Sequence, residues 1–365
     1  MNKKIRVILT GGGTGGHIMP ILALIDELKK YNTEILYIGH KKGLEKHIIT
    51  QKNINFKFIN AGKFRRYWSF QNFIDLFNCL IGIFQSLIII IKFKPDVVFS
   101  KGGFVGLPVV IVSWLLRKPV IIHESDYELG LANRISLKIA KKIAVSFPVD
   151  NYPFIPVSKI IYVGNPLRKE IFTANSERGR VYFHLSDKLP VLLVIGGSQG
   201  AQKINNTLKE ILPDLLKRWQ IIHITGQLDF NNFKKLKDSL DPSIRINYKV
   251  FNFLKEEIFD ALACASLVIS RAGANSIFEI SALKKPMILI PLEGHQEKNA
   301  DYFKKNQAAY IIKNNQLNAE ILKKAIQKIN KNQNLKLTMG QNAYNLVVLE
   351  ASYILAQEII NLVSK

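Results

Sequence analysis

Two short glycine loops of the same design stand in the two halves of this 365-residue chain, each after an apolar run. Gly11-Gly12-Gly13-Thr14-Gly15-Gly16-His17 follows the run at 5–9, and Gly196-Gly197-Ser198-Gln199-Gly200 follows the run at 191–195. A buried strand that leads into glycines and then a helix brings backbone N–H groups against a phosphate. Two such loops imply two nucleotide-fold domains. Only the first loop carries an imidazole at its rim, so the two domains are expected to do different work.

The rest of the chain supports that division. Short apolar runs at 5–10, 35–38, 97–100, 120–123 and 142–145 alternate with helical patterns, the first from His17 to Lys30. The second half repeats the alternation at 191–195, 220–224, 246–250, 267–270 and 287–290. This is the pattern of an α/β protein with parallel sheets covered on both faces. The prolines of Tyr152-Pro153-Phe154-Ile155-Pro156 mark the approach to a domain boundary. The expected domains are 1–162 and 163–342. A last helical stretch at 335–362 is followed by no strand, and 343–365 forms a C-terminal segment.

The net charge of +23 admits three explanations: nucleic-acid binding, docking on an anionic membrane, or a lysine-rich solvated surface. The lysines are spread along the whole chain and form no basic arm, which favours the third; of the other two, the membrane stands above nucleic acid for the apolar and basic groups described below. The two cysteines, Cys79 and Cys264, lie one in each half without metal-ligand spacing, as expected in a reducing compartment. Met1-Asn2-Lys3-Lys4 leads directly into a strand rather than an apolar leader. No apolar run reads as long enough to span a bilayer. The expectation is a cytoplasmic protein.

Taken literally, Gly11-x-Gly13-x-x-Gly16 matches the dinucleotide fingerprint, but that reading also needs an acid after the second strand to hold a ribose diol. Gly39 and His40 stand there instead. His17 is either a locally bonded helix-start histidine or a general base, and the adjacent loop favours the base. A third cluster, Ser100-Lys101-Gly102-Gly103-Phe104-Val105-Gly106, adds N–H donors and a cation at the same sheet edge. Two glycine turns on one edge suit a diphosphate. In the second half, Ser198 and its loop are candidate diphosphate donors. Arg271-Ala272-Gly273-Ala274-Asn275-Ser276 opens a helix whose N-terminus favours a phosphate. Glu279, one turn further, suits a ribose diol. Gln296 and Asn299 are of the type that reads sugar hydroxyls.

These motifs, together with His123-Glu124, Gly164-Asn165-Pro166-Leu167-Arg168 and His295-Gln296, resemble the MurG family in family order from Lys4 to at least Ala300. Its members are N-acetylglucosaminyltransferases that convert lipid I to lipid II in peptidoglycan synthesis. The resemblance implies a GT-B glycosyltransferase, two Rossmann-like domains facing across a cleft, with a C-terminal helix returning to the first. It implies UDP-N-acetylglucosamine as donor and undecaprenyl-linked lipid I as acceptor, with transfer to the 4-hydroxyl of N-acetylmuramyl and inversion at the anomeric carbon. It implies no cofactor, and no Asp-x-Asp triplet occurs that would suggest a metal.

Carried onto this chain, the family pattern sets Ser198 on the donor diphosphate, Arg168 on the nucleotide side and Leu254 on uracil. Ala274, Asn275 and Ser276 line nucleotide and phosphate, Glu279 takes the ribose, and Gln296 takes the sugar. Thr14, Gly15 and Gly16 border the donor sugar. Gly12, Gly13, Lys101, Gly102 and Gly103 hold the acceptor diphosphate. Many members have His-Glu-Gln-Asn where this chain has His123-Glu124-Ser125-Asp126, and an ionised Asp126 cannot donate the hydrogen bond of that asparagine. His17 is the candidate base, with Glu124 or Asp126 as groups that could share or take the role.

A lipid acceptor requires work at the bilayer, at the cytoplasmic face and as a peripheral protein. The run 80–91, which includes Phe84 and Ile88, reads as too short and too interrupted to span, and as either a core helix or an exposed membrane face. Trp68 with Lys63, Arg65 and Arg66 precedes it, and Trp114 with Arg117 and Lys118 forms a second aromatic and basic group. An enzyme of this kind works beside other wall-synthesis proteins and not on nucleic acid. The rivals are a transferase with another lipid acceptor such as diacylglycerol, a UDP-sugar epimerase and a basic nucleic-acid-binding protein.

Overall fold

The computed structural model describes residues 4–12, 15–40, 45–62, 71–196 and 201–363. Thr14, Gly13, Trp68 and Ser198 lie outside the described residues. The chain forms two compact units: Met1–Arg168 with Val348–Lys365, and Lys169–Val347.

The first unit is built on β1 (Ile5–Thr10), α1 (Gly15–Leu28), β2 (Thr33–His40), α2 (Glu45–Gln51), β3 (Asn55–Ile59) and α3 (Gln71–Phe93). It continues through β4 (Val97–Ser100), α4 (Gly103–Leu115), β5 (Val120–Glu124), α5 (Leu131–Ser136), β6 (Lys142–Val145) and β7 (Ile160–Tyr162). The strands make one parallel sheet in the order β3-β2-β1-β4-β5-β6-β7. β4 and β5 are buried at every position, as strands covered on both faces must be.

The second unit contains α6 (Ser176–Tyr182), β8 (Val191–Ile195), α7 (Gln202–Leu216), β9 (Gln220–Ile224), α8 (Phe230–Ser239), α9 (Pro242–Arg245) and β10 (Tyr248–Phe251). It goes on with α10 (Glu257–Cys264), β11 (Leu267–Ser270), α11 (Ala274–Ala282), β12 (Met287–Leu289), α12 (His295–Lys305), β13 (Tyr310–Ile311), α13 (Ala319–Lys331) and α14 (Gln333–Asn345). Its parallel sheet runs β10-β9-β8-β11-β12-β13. α7 shows why these helices cover a sheet: Ile204, Leu208, Ile211, Leu212 and Leu215 recur at helical spacing and enter the core beside Leu192, Val194 and Ile221.

The C-terminal helical stretch expected at 335–362 is two helices. α14 ends at Asn345, and α15 (Ala351–Asn361) belongs to the first unit. There Leu355, Ala356 and Ile359 share a core with Val7, Leu9 and α1 residues Ile21, Leu24 and Leu28. The turn between the two helices brings Val348 against Gly164, where an added Cβ would stand 2.5 Å from the valine Cβ and φ is +81°. Only glycine suits both conditions. The same contact explains why the units divide at 168/169 and 347/348, a few residues later than the sequence-derived boundaries. The 164–167 segment is tied into the first unit by His123 Nε2 on the Gly164 carbonyl (3.1 Å) and Ser125 Oγ donating to Asn165 (2.6 Å). Strands β3, β7 and β13 were not anticipated.

α3 corrects the reading of residues 80–91. The helix is longer than that run, and its Asp75–Phe93 stretch is long and apolar enough to cross a membrane by length and composition. Residues that look like interruptions in sequence form its packing face: Asp75, Cys79 and Ser86 are buried with Ile90. Gln85 accepts from the Asn60 amide (2.6 Å), while Gly82 lies against the Asn60 backbone and Pro108. The opposite face leaves Phe77 70%, Leu80 55%, Phe84 64% and Ile88 40% exposed. One face is therefore part of the domain, and the other is an apolar strip without a partner among the described residues.

Candidate active site

In an open parallel sheet, ligands bind beyond the carboxyl ends of the strands where the strand order reverses. The reversal falls between β1 and β4 in the first unit and between β8 and β11 in the second. The loops at those four strand ends are the ones the sequence singled out: 11–16, 101–103, 196–201 and 271–274.

In the first unit the two loops touch. The Lys101 amide donates to the Thr10 carbonyl (2.8 Å). A Cβ on Gly11 would stand 2.8 Å from Lys101 Cβ, and one on Gly103 would stand 2.7 Å from the Gly12 carbonyl and 3.6 Å from His17 Nε2. Gly102 and Gly103 have φ of +85° and +78°, so side chains here are excluded by conformation as well as by space. The structure thus brings Gly12, Lys101, Gly102, Gly103 and His17 together. Beneath them Tyr37 Oη donates to the Gly11 carbonyl, and the buried Glu45 carboxylate accepts from the His40 amide (3.1 Å).

His17 is the third residue of α1. Its Nδ1 is shielded from solvent and has no hydrogen-bond partner among the described residues. Burial first, and then the Lys101 ammonium, push the imidazole down to about 4, against a weaker opposing pull from Asp126. The ring is neutral at pH 7. Lys101 is itself 2% exposed, and burial lowers its ammonium to about 8 although Glu124 and Asp126 favour the charge.

Glu124, at the end of β5, is buried and has both oxygens occupied. Oε1 accepts from the Asp126 amide (3.1 Å), and Oε2 accepts from the Gly130 amide (2.8 Å) and Asn133 Nδ2 (3.0 Å). Burial raises its carboxyl above the usual range, with Lys101 and these donors working against the rise. The arrangement folds the 125–130 loop around the carboxylate, which makes Glu124 a loop organiser. Half-buried Asp126 is held by its backbone, its carbonyl accepting from Tyr152 Oη (3.2 Å). His123 faces the Gly164 carbonyl and burial keeps it neutral. Asn133, which sequence reasoning missed, bonds His123 and Glu124 and packs against Gly102.

In the second unit, α11 begins at Ala274 after Gly273, with no side-chain cap and no acid in its first turn. A Cβ on Gly273 would meet nothing within 4 Å. The amides of this first turn carry the partial positive charge of a helix start. Asn275, Ser276 and Glu279 are half-buried on this helix, and Leu254 is buried in the loop after β10. Gln296, in the first turn of α12, accepts from the Leu292 amide (3.1 Å). Asn299 departs from the sequence reading as a sugar reader. It is fully buried and donates to the Ala272 carbonyl (3.0 Å), fixing the turn before α11. Arg271 is nearly buried and bonds the Ile290 carbonyl (3.0 Å) and Asn314 (2.8 Å). Arg168 is the last residue of the first unit, not a member of the second.

Comparison with known proteins agrees with this architecture. Residues 7–145 match the Glycosyltransferase family 28 N-terminal domain, and residues 191–357 its C-terminal domain. A Bacillus cereus protein named UDP-N-acetylglucosamine--N-acetylmuramyl-(pentapeptide) pyrophosphoryl-undecaprenol N-acetylglucosamine transferase 2 is 42% identical over 359 residues, 95% of this chain and 99% of that one. A Clostridium perfringens transferase of the same name, without the number, is 41% identical, covering 95% and 97% of the two chains. The crystal structure of Acinetobacter baumannii MurG superposes with a TM-score of 0.76 at 24% identity, over 98% of this chain and 99% of that one. A UDP-N-acetylglucosamine 2-epimerase from Neisseria meningitidis shares the fold at 13% identity, with a TM-score of 0.72 and coverage of 98% and 100%. The fold alone thus serves more than one chemistry. The sequence match over nearly the whole length is what decides: this chain belongs to glycosyltransferase family 28 and, within it, to the MurG family of GT-B enzymes.

Proposed function

We propose that this enzyme transfers N-acetylglucosamine from UDP-N-acetylglucosamine to the 4-hydroxyl of the N-acetylmuramyl group of lipid I, giving lipid II. The observation that carries the reading is the pairing of two switch-point glycine loops in the first unit around a buried lysine and a neutral imidazole. That constellation suits a diphosphate-bearing alcohol: the loop amides and Lys101 bind the diphosphate, and His17 takes the hydroxyl proton. The oxygen attacks the anomeric carbon, the bond to UDP breaks with its electron pair on the leaving phosphate, and configuration inverts.

In the second unit the α11 N-terminus, with Ala274, Asn275 and Ser276, receives the nucleotide diphosphate, whose charge grows as the bond breaks. Ser198 belongs to the same task, Glu279 to the ribose, Leu254 to the base and Gln296 to the sugar. Arg168 takes the nucleotide side, as the family pattern assigns it. Thr14, Gly15 and Gly16 border the sugar, with Asp126 in place of the family asparagine.

The protein acts at the cytoplasmic face of the membrane as a peripheral enzyme. The exposed strip of α3 supports this, together with exposed Lys92 and Lys94 at its end and exposed Trp114 and Leu115 at the end of the adjoining α4. Apolar side chains rimmed by cations dock on anionic headgroups. The decisive experiment supplies purified protein with labelled UDP-N-acetylglucosamine and either lipid I or diacylglycerol. Label in the lipid phase with lipid I alone is the expected result. Transfer to diacylglycerol, or release of free sugar without transfer, defeats the reading.

A further inference from the structure

Between β9 and the start of α7 lies a buried polar chain that the proposed reaction does not use. His223, on β9, is fully buried, and both ring nitrogens are engaged: Nδ1 with Tyr248 Oη at 2.8 Å and Nε2 with Asn205 Oδ1 at 3.0 Å. The direction of every proton is fixed by the partners. Asn205 Nδ2 donates to the Thr225 carbonyl (2.9 Å) and to Asp229 Oδ2 (2.7 Å), both acceptors, so Oδ1 must face the histidine. His223 Nε2 therefore carries the proton and donates it, and Nδ1 accepts from the Tyr248 hydroxyl. Tyr248, Asn205 and Thr225 are fully buried and Asp229 nearly so. The Asn205 amide cannot pass a proton on to Asp229, so the chain is not a proton relay.

What it does reach is the start of α7. The Asn205 amide donates to the Ala201 carbonyl (2.9 Å), closing the first turn of the helix, while its side chain binds that turn to the β9–α8 loop. We infer that His223 is a positioning residue for the donor diphosphate: by orienting Asn205 against the Tyr248 hydroxyl, it sets the α7 turn whose amides meet the phosphates. The inference rests on reading the start of α7 as part of the donor diphosphate site. An apolar residue at 223 leaves Asn205 Oδ1 and the Tyr248 hydroxyl without partners in a dry core, and the amide then turns toward other groups.

The test uses the full-length protein, with UDP and UDP-N-acetylglucosamine as probes. His223→Leu should raise the Michaelis constant for the donor by roughly tenfold, the scale of one buried hydrogen bond. The constant for lipid I should stay put, and kcat within about threefold. His223→Gln, which can still donate to Asn205, should recover most of the loss. Tyr248→Phe removes only the far hydroxyl and should give a smaller shift of the same kind, which keeps the test available if His223→Leu does not fold. Lowered thermal stability with an unchanged donor constant in both His223→Leu and Tyr248→Phe overturns the inference. Hydrogen exchange separates the two levels. UDP should slow exchange at 201–205 in the unsubstituted protein. UDP that leaves exchange at 201–205 unchanged while slowing it elsewhere overturns the donor reading of this turn, whereas protection here with normal UDP binding by His223→Leu overturns only the role of His223.

Discussion

The Lys101 ammonium depresses the His17 imidazole while a backbone group of the same lysine hydrogen-bonds that ring. Burial first, and the Lys101 charge behind it, keep the ring unprotonated, while the bond to the Lys101 backbone works against that shift. A base must be neutral before it can act, and His17 meets that condition well below pH 7. His17→Ala should lower kcat by ~10²–10⁴ with little change in the donor Michaelis constant, the loss expected when a proton acceptor is removed. Turnover within a few-fold of normal would take the role away from His17.

The lysine itself titrates near the working range. With its ammonium at about 8, it loses its proton as pH rises through that value, and the acceptor diphosphate loses a cation. The kcat/KM for lipid I reports the free enzyme and should fall above about pH 8. Bound diphosphate favours the ammonium, so the limb in kcat should lie at higher pH. Lys101→Met should lower kcat/KM and abolish the alkaline limb. An unsubstituted protein with a flat profile through pH 9 would show that Lys101 does not meet the diphosphate.

Glu124 offers a contrast between a base and an organiser. Its two oxygens take three donors, two of them backbone amides. Glu124→Gln keeps the shape but turns an NH2 toward at least one donor, so the 125–130 loop should loosen. The expected outcome is a stability loss of ~1–3 kcal/mol, the penalty of an unmatched buried group, with the acid limb of the pH profile unmoved. A shift in that limb would assign Glu124 a direct part in proton transfer.

The sequence made the two loops and their strands legible because a parallel strand covered on both faces must be an unbroken apolar run, as β4, β8 and β11 are. β3 escaped notice because most of it is exposed, and β13 because it is two residues long. In α3 the polar and small residues that looked like breaks in an apolar run are the packing face, which linear reading does not reveal. The supports of the site were hidden for a different reason. Asn133 meets Glu124, Tyr37 meets Gly11 and Asn299 meets Ala272 only through folding, and none belongs to a local pattern. Asn299 was legible as a polar residue near the site, but nothing in its spacing showed that it faces inward.

The apolar strip of α3 predicts how the protein meets lipid. Phe84→Glu and Ile88→Glu change exposed positions, so thermal stability should hold while binding to anionic vesicles falls. Raised salt should release the unsubstituted protein, since the surrounding lysines act through screened charge. Sedimentation with anionic and zwitterionic vesicles reads both effects. Equal binding to the two vesicle types, insensitive to salt, would argue against docking by this surface.

Buried neutral histidines also set a pH dependence on folding. In the second unit, burial holds His223 down to about 3, whereas an unfolded imidazole takes its proton near 6.5. Between those values the unfolded chain binds more protons, so stability rises with pH there and is lost as pH falls below 6.5. From pH 7 to 5 one such histidine should remove about 2 kcal/mol. Trp219 is buried in this unit, and the other two tryptophans, Trp68 and Trp114, can be changed to phenylalanine. Its fluorescence during urea unfolding at the two pH values then reports the second unit alone. His223→Gln is less stable at pH 7 but should lose most of this pH sensitivity, because glutamine has no proton to gain. An equally steep dependence in the variant would place the titrating group elsewhere in the unit.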